Sequence, residues 1–123
     1  MDAVELKART KQFGLRVIKL VEALPGTKTA NIIGNQLLRA GTSVGANYRS
    51  ACRGRSKAEF VAKTCISIEE ADEALYWMEL LIEAGIVPKE RLNDLMQEAN
   101  ELTAILTASV ITAKSNLRKK SSP

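Results

Sequence analysis

Apolar residues recur along this chain at spacings of three, four and seven, the signature of helices that each bury one face. Leu6, Phe13, Val17, Leu20 and Leu24 form a first stripe, and Pro25-Gly26 ends it, because proline disfavours helix in the residue before it and glycine tolerates the turn. Thr27 or Thr29 can cap the next helix, whose stripe is Ile33, Leu37, Ala40, Val44 and Tyr48. That helix carries Gly34, Gly41 and Gly45, which weaken helix propensity but allow close backbone approach. Gly54-Arg55-Ser56 breaks the pattern. Ser56-Lys57-Ala58-Glu59 then fits a capping box, in which Ser56 accepts from the Glu59 amide and the Glu59 side chain reaches back.

The third helix is read with a core stripe of Val61, Cys65, Ile68, Ala71, Leu75, Met78 and Ile82, stopped at Gly85. Pro88 at a first helical position, with Glu90 in the first turn, opens a fourth helix. Its stripe is Leu92, Met96, Ala99, Leu102, Leu106, Val110, Ala113 and Leu117. The links are only a few residues long, so successive helices must pack antiparallel. The pattern predicts an all-α fold, an up-down-up-down four-helix bundle over residues 1–114, with a basic, Ser-rich, frayed tail over 115–123. A length of 123 residues suits one domain, and 46% hydrophobic against 26% charged residues is the composition of a chain that folds around a core.

Two features exceed what a monomeric bundle needs. On the third helix Phe60, Ile66, Trp77 and Leu81 lie to one side of the core line, interleaved with Lys63, Glu70 and Glu73, and on the fourth Ile105, Ala108 and Ile111 lie off the core line too. A wide buried face accounts for this; a subunit interface accounts for it better, since aromatics rimmed by charge favour association. The expected interface comprises Phe60, Ile66, Glu70, Glu73, Trp77 and Leu81.

Charge is segregated. Residues 1–60 hold 11 Lys/Arg against 4 Asp/Glu, residues 61–113 hold 3 against 10, and residues 114–123 add four basic residues. Arg49, Arg53, Arg55 and Lys57 cluster where the second helix meets the third, with Arg39 ten positions earlier. Such a cluster can neutralise phosphates and bind nucleic acid in a salt-dependent way. The alternative is pairing with Glu69, Glu70, Asp72 and Glu73, within or between subunits, although these acids lie turns away from the loop that holds Arg53, Arg55 and Lys57. Arg39, Ser43 and Asn47 form a polar line at i, i+4 and i+8 that either hydrogen-bonds across a seam or faces water.

The chain has no histidine, which removes the commonest general base and a common metal ligand, so neither a di-iron bundle site nor a His-dependent helical ribonuclease is expected. The Gly41-x-x-x-Gly45 spacing lacks the Lys-Ser or Lys-Thr of a phosphate loop. Cys52 and Cys65, 13 positions apart, are expected to be reduced, partly buried thiols. No apolar run spans a bilayer and the first residues are charged, which predicts a cytoplasmic protein without cofactor, metal or catalytic activity.

Several words of the sequence carry a resemblance. Asn35-Gln36-Leu37-Leu38-Arg39, the run Gly41-Thr42-Ser43-Val44-Gly45-Ala46-Asn47-Tyr48-Arg49, Ser56-Lys57-Ala58-Glu59-Phe60, and Glu69-Glu70-Ala71-Asp72-Glu73 with Tyr76-Trp77 closely resemble the bacterial four-helix bundle proteins encoded in 23S ribosomal RNA intervening sequences. The resemblance covers about Leu6 to Lys114. It implies a five-subunit ring and a similarity to the accessory variability protein of diversity-generating retroelements, which binds nucleic acid and a reverse transcriptase. It carries over no catalytic residue. Ser50 stands where the family pattern leads one to expect an acidic residue, which bears on any subunit contact that acid makes. The expected partners are therefore a second copy of the chain in a homopentamer, structured RNA contacted through Arg39, Arg49, Arg53, Arg55 and Lys57, and a polymerase of the reverse-transcriptase kind.

Overall fold

A computed structural model of the chain describes residues 1–121, with side chains as far as Lys119. The described residues form four helices: α1 (Ala3–Glu22), α2 (Lys28–Cys52), α3 (Lys57–Glu83) and α4 (Lys89–Ser121). Each begins or ends on a local signal. Asp2 accepts from the Glu5 amide at 2.8 Å, Thr27 from that of Ala30 at 3.2 Å and Ser56 from that of Glu59 at 3.1 Å, so three exposed helix starts are satisfied by side-chain oxygens. The return arm of the capping box lands one residue earlier than expected, with the Arg55 amide donating to Glu59 Oε2 at 3.4 Å. At the end of α3, Gly85 takes a φ of 73°, and the amides of Gly85 and Ile86 return to the carbonyls of Ile82 and Leu81, the paired bonds of a Schellman motif.

α1 packs on α2, α2 on α3 and α3 on α4, while α4 closes on α1 more sparsely. This is the up-down-up-down bundle that the stripes predict. Leu6, Phe13 and Val17 of α1, Leu37, Ala40, Val44 and Tyr48 of α2, and Leu92, Ala99, Leu102 and Leu106 of α4 are buried in one continuous core. The α1–α2 seam is tight where glycine permits it. A Cβ on Gly45 would stand 3.2 Å from the Thr10 carbonyl carbon, and one on Gly41 only 2.7 Å from a Val17 methyl.

α3 departs from its expected stripe. Its core-facing line is Thr64, Ser67, Ala71, Ala74, Met78 and Leu81, whereas Val61, Cys65, Ile68, Leu75 and Ile82 are only half buried. The buried hydroxyl of Ser67 donates to the Val44 carbonyl of α2 at 2.6 Å, so a small polar residue can sit in the core without an unmet bond. At the other end of the chain, α4 continues as helix to Ser121 through the segment expected to fray from Ser115; Ser122 and Pro123 lie outside the described residues. No described helix is long and apolar enough to cross a membrane.

Candidate nucleic-acid interface

The five expected phosphate-binding residues separate into three environments. Arg39 lies halfway along α2 and is engaged: its Nη2 is 2.6 Å from Glu73 Oε2 and its Nη1 3.4 Å from Glu70 Oε2. These hydrogen bonds, Glu73 foremost, hold the guanidinium pKa above its ordinary value. The pairing alternative is thus realised at Arg39, within one chain. The polar line that starts there does not continue as a seam, because Ser43 Oγ donates to the Arg39 carbonyl and Asn47 Nδ2 to the Ser43 carbonyl, both inside α2.

Arg49 faces another way, onto a groove of about 670 Å³ between α1 and α2. Its neighbours there include Lys7 and Lys11, two cations that the charge pattern along the chain does not single out because they sit on a different helix. Helix packing brings the three together over a floor of Ala8, Gly14 and Gly45.

Arg53 and Arg55 lie in the turn between α2 and α3 and Lys57 opens α3, all exposed. Among the described residues, neither these three side chains nor Arg49 has a carboxylate partner within 4.0 Å. The nearest acid along the chain, Glu59, is bound to Lys63 at 3.0 Å and to the Arg55 amide, and both hold its carboxyl below the ordinary range. The corner therefore keeps its positive charge. Beneath it Tyr48 is buried against Phe60, with ring centres 6.3 Å apart and nearly perpendicular. Burial, then Cys52, push the Tyr48 phenol above its ordinary 10, so it remains neutral and adds no negative charge to the corner.

The six expected interface residues are not one surface. Leu81 is fully buried in the core of a single chain, which removes it from any interface; it lies on the line that actually faces the core, one position from the expected stripe. Phe60 lines a cleft at the α2–α3 corner. Glu70 and Glu73 are taken by Arg39, and the half-buried Trp77 donates its indole N–H to Glu73 at 3.4 Å. Ile66 remains exposed, at 43% of its full surface, and it is joined by Tyr76 at 51%, which stacks edge-on against Trp77. Tyr76 stands out in the sequence only as half of the Tyr76-Trp77 pair; its phase on the helix, off the apolar lines, carries no sign of an exposed ring.

The described residues thus form a four-helix bundle with a tight glycine seam and a corner of unpaired basic side chains. The chain belongs to the 23S rRNA-intervening sequence protein family, whose pattern it matches over residues 3–108. It is similar to a protein of unknown function from the S23 ribosomal protein family of Bacteroides thetaiotaomicron, known from its crystal structure: the two are 31% identical with a TM-score of 0.81, over 85% of this chain and 97% of that one. No curated protein matches the chain.

Proposed function

We propose that this chain is a non-enzymatic binding protein that self-associates and contacts structured RNA through Arg49, Arg53, Arg55 and Lys57. The observation that carries the reading is the separation of the cations: Arg39 is neutralised by α3, while Arg49 at the α1–α2 groove and Arg53, Arg55 and Lys57 at the α2–α3 corner keep unpaired charge. Unpaired arginine and lysine on one end of a rigid bundle bind phosphates by releasing their counterions. The family is named for the intervening sequence of 23S ribosomal RNA, which makes that RNA the first candidate ligand to test.

Fluorescence anisotropy with a ribosomal RNA stem-loop and a matched DNA duplex, titrated across salt, tests the proposal. Tight binding to RNA with a steep salt dependence, abolished in the Arg53→Glu/Arg55→Glu variant while its mass in solution is unchanged, is the expected result. Absence of binding at low salt overturns it. Loss of assembly in the variant would instead give these charges to subunit pairing, and the chain would be a protein scaffold.

A further inference from the structure

A cleft of about 820 Å³ lies between the α2–α3 corner and the C-terminal half of α4. Its lining falls into three zones. Phe60 and Ile105, both packed against the core, form an apolar floor together with Ala108. Arg55 and Lys57 stand on the rim as exposed cations. Thr112 and Asn116 form the wall, and among the described residues their side chains engage no hydrogen-bond partner. No Asp or Glu lines the cleft. Its volume is comparable with the range of about 300–1,000 Å³ of small-ligand pockets, although it is a cleft open to solvent and not an enclosed cavity.

These three zones match the three parts of a nucleotide. A base has an apolar face that favours aromatic and aliphatic contact, a polar edge that needs donors and acceptors, and an attached phosphate that needs cations. Phosphate binding alone explains the rim, but a surface that binds only duplex backbone has no use for an apolar floor or for unengaged amide and hydroxyl groups behind it. We infer that the cleft is a subsite for one unpaired nucleotide of an RNA strand, its base against Phe60, Ile105 and Ala108 and its phosphate on Arg55 and Lys57. This rests on the RNA-binding reading above and adds to it a selection: the corner takes loops, bulges or strand ends in preference to paired helix.

Two variants fill the cleft from exposed positions on α4 without touching a charge, Ala108→Trp and Thr112→Trp, with circular dichroism confirming that each remains folded. Each is titrated with a hairpin carrying an unpaired loop and with a blunt RNA duplex of equal phosphate number. The expected result is a loss of about tenfold or more in affinity for the hairpin, in line with the removal of one stacked base, with duplex binding unchanged. Unchanged hairpin binding in both variants overturns the inference, and so does an equal loss on both RNAs. If Arg55→Glu weakens binding to both RNAs while the tryptophan variants change neither, the basic corner stands and the cleft does not. If the parent protein binds neither RNA, both readings fall together.

Discussion

Arg39 on α2 holds Glu73 on α3 at 2.6 Å, and this contact decides which part of the basic half of the chain is available to a partner. A guanidinium already shared between two carboxylates contributes little net charge beyond a Debye length of about 8 Å at physiological salt. Replacing Arg39 by Gln should therefore leave the dependence of RNA affinity on salt unchanged. Arg55→Gln should flatten the slope of log affinity against log salt by about 1, as expected when one fewer phosphate is neutralised. Parallel anisotropy titrations check this, and equal slopes for the two variants would show that Arg39 opens toward the RNA.

The glycines of the α1–α2 seam are predicted to differ in sign. A Cβ at Gly14 would make only ordinary contacts, 3.6 Å from Thr42 Cα and farther from the rest, so Gly14→Ala should gain about 0.5–1 kcal/mol from the stiffer helix. At Gly41 the added carbon falls 2.7 and 2.8 Å from both methyls of Val17, a side chain with little rotamer freedom at the buried seam. Overpacking of this kind costs about 1–3 kcal/mol, so Gly41→Ala should destabilise despite the better propensity. Urea unfolding of the two variants tests both signs.

The bundle was legible in the sequence because α1, α2 and α4 each bury large apolar residues of their expected stripes; Phe13, Leu37 and Leu102 are fully buried, while Leu15, Ile32 and Ile111, off those stripes, are exposed. α3 misleads for a physical reason. It is apolar on more than one side, and although Ala71 and Met78 of the expected stripe are buried, the rest of the core line includes Thr64, Ser67 and Ala74, small residues that a search for large hydrophobes passes over. Ser67 sits in the core because the Val44 carbonyl is within reach, a fact of packing rather than of periodicity. The corner cluster was visible because its residues are close in sequence. The grouping of Lys7 and Lys11 with Arg49, and the cleft formed by Phe60 with Ile105 and Asn116, join residues distant in sequence that only the packing brings together.

The sparse α1–α4 seam is held by Arg9, whose Nε and Nη2 reach the two carboxylate oxygens of Glu98 at 2.8 and 2.6 Å, with Glu101 at 3.3 Å. Glu98, foremost by its hydrogen bonds, keeps the guanidinium pKa above its ordinary value. Both side chains are mostly shielded from solvent, so this bidentate pair should stabilise more than a surface ion pair. Glu98→Ala is expected to cost about 1–2 kcal/mol, read by urea unfolding. Hydrogen exchange should rise first in α1 and α4, and uniform loss of protection across all four helices would contradict this.

Glu59 gives the corner a pH dependence of known sign. Lys63 and the Arg55 amide hold its carboxyl below the ordinary 4.5, so the folded state binds the proton less readily than the unfolded chain. The stabilisation is present above pH 4.5 and disappears as pH falls through the lowered folded value. A melting-temperature profile of Glu59→Gln should lie below that of the parent at neutral pH and converge with it in acid. A constant offset between the two profiles would assign the difference to helix capping rather than to the charge.

Ile66 and Tyr76 are the remaining exposed apolar groups of the expected α3 interface and its neighbouring motif, and the Arg39 cross-link fixes the carboxylates between them in place. A face of this kind, apolar groups around charges already satisfied within the chain, can be covered by a second copy without stranding a buried charge. The double substitution Ile66→Glu/Tyr76→Lys should therefore convert the protein to single chains by light scattering at micromolar concentration, with helicity retained because both side chains lie outside the core. Affinity for RNA should also fall, because an assembly presents several copies of the corner to one strand and a monomer presents one. If mass drops while affinity is unchanged, each corner binds alone; if mass does not drop, the subunit contact lies on another face, and the α1–α2 groove with its apolar floor becomes the next surface to substitute.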